Sequence, residues 1–316
     1  MTRIAVTGAA GFIGSQIAER LVRDGCEVVG VDCFTANYER AVKERNLATL
    51  RSTDAFELVE SSIDEPAAEA AFRGCRAVIH LAALPGVRST LEDEIWRMNV
   101  TALAGMLTLL ARARVERLVL ASSSSIYGSL TRPGTELDEP APASAYARSK
   151  LAAEQLCAQS GLDCVTLRYF TVYGERQRPD MAFARFIDAA LGNRSAPLFA
   201  SGTQVRHFTY VGDVVEATVR ALNDAPRGAV YNVASPSAAT PLDAIALIER
   251  YTGHAVATRE LPPQPQDAEA ILADVSRARR ELGWHAQTSL ADGLRAQVQA
   301  ALEGIRGEPL AGSRNA

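Results

Sequence analysis

Two periodicities alternate along the first half of the chain. Short runs rich in valine, isoleucine and leucine have the continuous apolar character of strands buried on both faces: Arg3–Thr7, Glu27–Val31, Phe56–Glu60, Ala77–Leu81, Arg117–Ser122 and Cys164–Tyr169. Between them, Ser15–Asp24, Glu92–Ala113 and Ser144–Ser160 read as helices, the second of them amphipathic. Alternating strands and helices predict an α/β fold: a Rossmann-type, doubly wound parallel sheet. Beyond Tyr169 the strict alternation stops. Ala182–Leu191, Gly212–Asn223, Thr240–Thr252, Ser276–Leu282 and Ser289–Leu302 read as helices. Val230–Val233 reads as a short strand, and Pro197–Tyr210 as a β-hairpin around Ser201-Gly202-Thr203. The expected division is a nucleotide-binding domain over 1–168 plus about 205–235, a smaller α/β substrate domain over about 169–204 and 236–303, and a disordered tail over 304–316.

Composition narrows the function classes. A hydrophobic content of 47% supplies a core for the 316 residues, and a net charge of −4 gives no footprint for nucleic acid. No apolar run approaches the ~18 residues that cross a bilayer, and the chain enters a strand at once, so neither membrane span nor signal peptide is expected. The 5 cysteines lack CxxC spacing and the 4 histidines lack ligand spacing. Reduced thiols, cytoplasmic residence and no metal site are the expectation. His80, inside an apolar strand, reads as a packed residue rather than a catalyst.

Candidate chemistry begins at the first strand. Gly8, Gly11 and Gly14 stand between the run Arg3–Thr7 and the first helix. Such spacing lets the backbone turn sharply and lets a pyrophosphate approach the helix N-terminus. Asp32 ends the second strand, where a carboxylate accepts ribose hydroxyls and repels a 2′-phosphate, which favours NAD over NADP. Asn37–Arg51 is polar and reads either as a solvated face or as a wall beside the adenosine. Asp64 follows the third strand, as an adenine contact or as a helix cap. Ala82 and Ala83 let the backbone pass close to the cofactor, and Arg88 is the cation of the loop behind them, suited to a phosphate. Asn99 follows Trp96 by one turn on the long helix.

Tyr146 and Lys150 stand four residues apart on a predicted helix and share a face. An ammonium beside a phenol favours the phenolate and brings its pKa toward the working range. Ser123, in the cluster Ser122–Ser125 at a strand end, is placed to bridge Tyr146 and a substrate hydroxyl.

Together GAAGFIG, Asp32, HLAA, SSSSIYG, YARSK and RYFTVYG resemble the extended short-chain dehydrogenase/reductase family, and within it the nucleotide-sugar epimerases. The resemblance spans Arg3 to about Leu302. It implies a tightly held NAD, a UDP-sugar in a cleft and a homodimer. It places catalysis on Ser123, Tyr146 and Lys150. It implies cofactor contacts at Gly8, Gly11, Phe12, Ile13, Gly14, Asp32, Asp64, Asn99 and Tyr169, and diphosphate or sugar contacts at Arg88 and Arg206. Dehydratases of the family need an Asp-Glu pair after the catalytic hydroxyl, and decarboxylases a Glu two residues after it. Here Ser124 and Ser125 fill those positions, which argues against elimination and for oxidation and re-reduction at C4.

TVYGERQRPDMAF resembles the UDP-glucuronate 4-epimerases most, which implies a carboxylate clamp at Arg178, Thr171, Ser124 and Ser125. Pairing of Arg178 with Asp180 or Glu175 is the alternative. Glu175 replaces a usual Pro, and Gln266 and Ile271 replace a usual Gly and Thr beside the nucleotide. Other readings are a 4-epimerase of UDP-glucose or UDP-N-acetylglucosamine, a UDP-glucuronate decarboxylase, and a non-catalytic NAD-binding regulator.

Overall fold

The structure is a computed structural model that describes residues 1–86, 91–130, 132–192, 194–263 and 270–307. Six strands of the main sheet come from the first half of the chain: β1 (Arg3–Thr7), β2 (Glu27–Asp32), β3 (Phe56–Glu60), β4 (Ala77–His80), β5 (Arg117–Ser123) and β6 (Asp163–Tyr169). A later strand, Val230–Val233, completes a seven-stranded sheet in the order Val230–Val233, β6, β5, β4, β1, β2, β3. Every pairing in it is parallel. The order reverses direction at β1, so the carboxyl ends of β1 and β4 flank the crevice where ligands of open sheets gather.

Strand residues feed two cores by alternation. Ile4 and Val6 face a layer with Ile17 and Leu21 of α1 (Phe12–Arg23), while Ala5 between them joins the opposite layer. In chain order α2 (Arg40–Asn46) and α3 (Pro66–Phe72) follow. Glu92–Ala113 is helical throughout, but Arg97–Thr101 is a π-helical turn between α4 (Glu92–Trp96) and α5 (Ala102–Ala113). The turn leaves Asn99 only 3% exposed, whereas Trp96 stays 48% exposed. Next comes α6 (Ala145–Gln159), whose first turn is capped by the Ser144 hydroxyl accepting from Ala147 N–H at 3.1 Å.

Past β6 the chain builds a third core from α7 (Ala182–Ala190), α9 (Pro241–Thr252) and α11 (Leu290–Gly307). Between them lie α8 (Val211–Asp224), packed on the main sheet, and the short α10 (Ser276–Glu281). The expected hairpin over Pro197–Tyr210 does not form. Its strands β8 (Ala196–Phe199), β9 (Val205–Arg206) and β10 (Thr209–Tyr210) pair in parallel with segments from elsewhere. The partners are Thr258–Leu261, Ala270–Ile271 and β7 (Val172–Tyr173), respectively. A local pattern shows where the chain turns, not which distant segment reaches its edges. The helix α11 also runs to Gly307, five residues past the expected helix end at Leu302. Residues 308–316 of the expected tail lie outside the described residues, as does Gln266, while Ile271 lies in the strand paired with β9.

Candidate active site

Two turns, at the carboxyl ends of β1 and β5 on either side of β4, build the cleft. In the first, between β1 and α1, Gly8 takes φ +71° and a Cβ there would lie 2.9 Å from the Ala82 nitrogen. A Cβ on Gly14 would lie 2.1 Å from the Gly8 carbonyl oxygen. Backbone packing therefore fixes both glycines. A Cβ on Gly11 would meet the Gly8 carbonyl oxygen alone, at 3.1 Å, which leaves room on the cleft side. Gly11 caps α1 with no side-chain hydrogen bond, and no acid stands in the first turn. The uncapped helix end favours an anion.

Asp32 lies beside this turn, 8% exposed. One carboxylate oxygen accepts from Ala10 N–H at 3.0 Å and the other from Phe34 N–H at 2.8 Å. Each keeps a further lone pair for a ribose hydroxyl. The chemistry of helix end, small residues and acid fits a dinucleotide. Lys43, from the polar stretch that composition left open, also lines this part of the cleft. Its ammonium, 4% exposed, donates to the Thr35 carbonyl at 2.9 Å and Thr35 Oγ1 at 3.1 Å. Burial lowers its pKa, while the Asp32 charge raises it. Tyr38 lies under it, its phenol pushed up to about 12 chiefly by burial. Nothing in the local spacing marks Lys43 as buried; the aromatic at Tyr38 was the available signal.

The second turn follows β5. Ser122 hydrogen-bonds Glu154 of α6. Ser123 Oγ accepts from Ser125 N–H at 3.1 Å and from Ser125 Oγ at 2.9 Å, capping the tight turn Ser124–Tyr127. Beneath it, Arg168 joins the Glu154 carboxylate at 2.8 Å and donates to the Tyr127 hydroxyl at 2.8 Å. That hydroxyl donates to Asn232 at 2.7 Å. The network pins the serine turn to α6, the helix that carries Tyr146, and so sets Ser123 near its phenol.

Burial raises the Tyr146 pKa; the Arg178 charge and the Ser123 bond pull it down. The cation acting on Tyr146 is thus Arg178. Lys150 instead donates to the Ala121 carbonyl at 2.5 Å, and burial lowers its own pKa to about 8 against the pull of Glu154. His80 is neutral: burial and then Lys150 lower it to about 3, with Nδ1 2.7 Å from Thr7 Oγ1.

Gly8, Gly11, Phe12, Ile13, Gly14, Asp32, Ala82, Tyr146, Lys150, Tyr169 and Arg178 line one cleft. Tyr169 offers its ring, since its hydroxyl is engaged with Thr218 at 2.7 Å. Arg178 is bound to Asp180 through two hydrogen bonds of 2.9 Å. Glu175 accepts instead from Tyr210 at 2.8 and 2.9 Å.

Other expected contacts lie elsewhere. Asn99 uses both amide hydrogens, on the Leu84 carbonyl and on Ser149, and its oxygen accepts from Leu84 N–H. It holds the loop after β4 against α6, and its oxygen keeps one further lone pair. Asp64 is exposed, in the turn after β3, and accepts from Ser62 at 2.6 Å; it packs beside Gly105 of α5, and Ser62 and Ile63 line the cleft in its place. Arg206 sits in β9, off the wall around Tyr146, and donates to the Val205 carbonyl at 2.8 Å. Ser124 is buried, Ser125 is tied to Ser123, and Thr171 is exposed with its carbonyl accepting from Thr209. Arg88 lies outside the described residues.

A cleft with an anion-binding helix end, a ribose acid and a phenol beside an ammonium is that of a nicotinamide-dependent enzyme scaffold. Comparison with known proteins makes this specific. Residues 4–234 match the NAD dependent epimerase/dehydratase family, and the chain belongs to it. A UDP-glucuronate 4-epimerase of Thermodesulfobacterium geofontis is 35% identical over 95% of this chain and 96% of its own. An uncharacterised UDP-glucose epimerase of Bacillus subtilis is 34% identical over 94% of this chain and 96% of its own. The crystal structure of UDP-glucuronic acid 4-epimerase from Bacillus cereus, in complex with UDP-glucuronic acid and NAD, superposes with a TM-score of 0.91 at 33% identity. That match covers 96% of this chain and 99% of the other.

Proposed function

We propose that the protein inverts C4 of a UDP-sugar with NAD, converting UDP-glucuronate to UDP-galacturonate. One observation carries the choice of sugar. The Arg178 guanidinium lines the same cleft as Tyr146 and acts on its phenol, while the positions after Ser123 offer hydroxyls only. The relatives described above with that activity support the reading.

The glycine turn and α1 hold the NAD diphosphate, Asp32 the adenosine ribose, and Lys150 and Tyr146 the nicotinamide end. NAD held there would supply the hydride acceptor, and then the hydride donor, for C4 of the sugar. Tyr146, as phenolate, takes the C4 hydroxyl proton directly or through Ser123, and gives it back after the sugar has turned. Serine at positions 124 and 125 cannot deprotonate C5 or protonate a leaving hydroxyl, so the chemistry stops at C4. A 4-keto uronate is a β-keto acid and loses CO2 when its carboxylate aligns with the ketone. Arg178 holds the carboxylate out of that alignment. Arg88 and Arg206 meet the UDP diphosphate, and residues about 169–204 and 236–303 form the lobe that carries the sugar nucleotide.

A second reading, a 4-epimerase of neutral UDP-hexoses, draws on the bond between Arg178 and Asp180, which leaves the guanidinium already partnered. Purified protein incubated separately with UDP-glucuronate, UDP-glucose and UDP-N-acetylglucosamine, with products read by NMR, separates the two. Inversion at C4 of the uronate supports the first, turnover of neutral sugars alone the second, and a UDP-pentose refutes the clamp. We further propose a homodimer, checked by sedimentation. Cytoplasmic residence accords with five cysteines free of disulfides.

A further inference from the structure

The run Glu175–Arg178 leaves β7 beside the cleft with each residue anchored differently. Glu175 is held by Tyr210, and its carbonyl accepts from Gln16 of α1 at 2.9 Å. Gln177 donates to the Val172 carbonyl at 3.2 Å, and its oxygen accepts from Ala184 N–H and Gln297 at 3.0 Å each. Both anchors bind the run to its surroundings on the substrate side and at the helix α1. Arg178 is the residue that reaches the cleft wall.

Arg176 does something else. It takes φ +63°, a conformation disfavoured for any residue with a Cβ. Its guanidinium crosses to the cofactor side. Nη2 donates to Glu19 at 2.8 Å, and Nη1 lies 3.3 Å from both the Ser15 hydroxyl and the Asn46 carbonyl. Ser15 and Glu19 lie in the first two turns of α1, behind its anion-binding end. The Asn46 amide donates to the Ala10 carbonyl at 3.0 Å, and Ala10 N–H donates to Asp32 at 3.0 Å. A continuous set of bonds therefore runs from the ribose acid to the residue two before Arg178. Three acceptors in different directions need a planar fork; a lysine could meet Glu19 but not the others at once.

We propose that Arg176 is a positioning residue that holds the Arg178 run in register with the dinucleotide turn, so that bound NAD tightens the grip on the uronate carboxylate. This rests on the role given to Arg178 above. Coupling of this kind is reciprocal, so bound uronate also tightens NAD.

The test uses full-length Arg176→Met and Arg176→Lys. Two quantities are measured: kcat and KM on UDP-glucuronate, and hydrogen exchange over residues 174–181 with and without NAD. The expected result for Arg176→Met is a fall in kcat/KM of about 10- to 100-fold, carried mainly by KM, as misplacement of a binding group produces. Exchange over 174–181 speeds up and no longer responds to NAD, and Arg176→Lys falls between. Wild-type KM and intact NAD-dependent protection in Arg176→Met overturn the proposal. If Arg176→Met does not fold, the same two readouts on Arg176→Lys decide. If wild-type protein fails to turn over the uronate, the functional reading falls, and the exchange result alone still decides whether Arg176 couples the two sides.

Discussion

Replacing Arg178 by Met separates two jobs that one guanidinium is given. Methionine keeps the length and the apolar stem and removes the charge. The guanidinium's side chain is 22% exposed, and it makes two 2.9 Å hydrogen bonds to a carboxylate, so it can present the same fork to a sugar carboxylate. Hydrogen bonds to charged groups contribute about 1.5–3 kcal/mol. Their loss raises KM for UDP-glucuronate by about 10- to 150-fold. The second effect falls on Tyr146. Arg178 lowers the phenol's pKa, so its removal raises it and moves the acid limb of the kcat/KM profile to higher pH. A third follows from the loosened carboxylate: CO2 appears alongside epimer. The assay is a pH profile of UDP-glucuronate turnover followed by NMR, with CO2 trapped. A variant with unchanged KM, an unmoved acid limb and no CO2 would refute the assignment of Arg178 to the sugar carboxylate.

Three further outcomes are expected. Asp180→Asn frees Arg178 from a partner that is half exposed, and KM for the uronate drops about two- to fivefold, the range of an exposed ion pair, in steady-state kinetics. Lys150→Met abolishes turnover yet stabilises the ligand-free protein. Lowering a lysine from 10.5 to about 8 corresponds to about 3 kcal/mol, and the Ala121 carbonyl left without its donor returns about 1. The gain is full below pH 8, where the buried ammonium is charged. It fades as pH rises toward 10.5, since the wild-type protein then loses the buried charge, and thermal melts across that range check it. Gly11→Ala folds but loses NAD, because its Cβ takes up cleft space. Gly14→Ala disrupts the turn itself, its Cβ falling 2.1 Å from the Gly8 oxygen; melts and bound-NAD content distinguish the two.

What could be read from the chain alone was what short stretches decide. Apolar runs located the six early strands, and the i, i+4 relation of Tyr146 and Lys150 on α6 needed only one helix. The misses share a cause: they depend on partners distant in sequence. The bonds by which Asn99 holds the loop after β4 could not be read, because its partners, Leu84 and Ser149, lie 15 and 50 residues away. Helix spacing set Lys150 beside Tyr146 but did not show that its ammonium donates to the Ala121 carbonyl, nor that Arg178, 32 residues past Tyr146, lines the same cleft. In the sequence the stretch around Lys43 stays open between a solvated face and a wall of the adenosine site, because a carbonyl eight residues back satisfies its ammonium only after folding. The hairpin at Ser201 was drawn from turn residues, whose strands are then claimed by segments some 60 residues later.

The central claim is that C4 is oxidised and reduced with no other carbon touched. UDP-glucuronate deuterated at C4 is incubated with the protein in water, and unlabelled UDP-glucuronate in D2O. The account predicts UDP-galacturonate with the label kept at C4 in the first and no deuterium on carbon in the second. Label lost from C4, solvent deuterium at C5, or a pentose lacking C6 would contradict it.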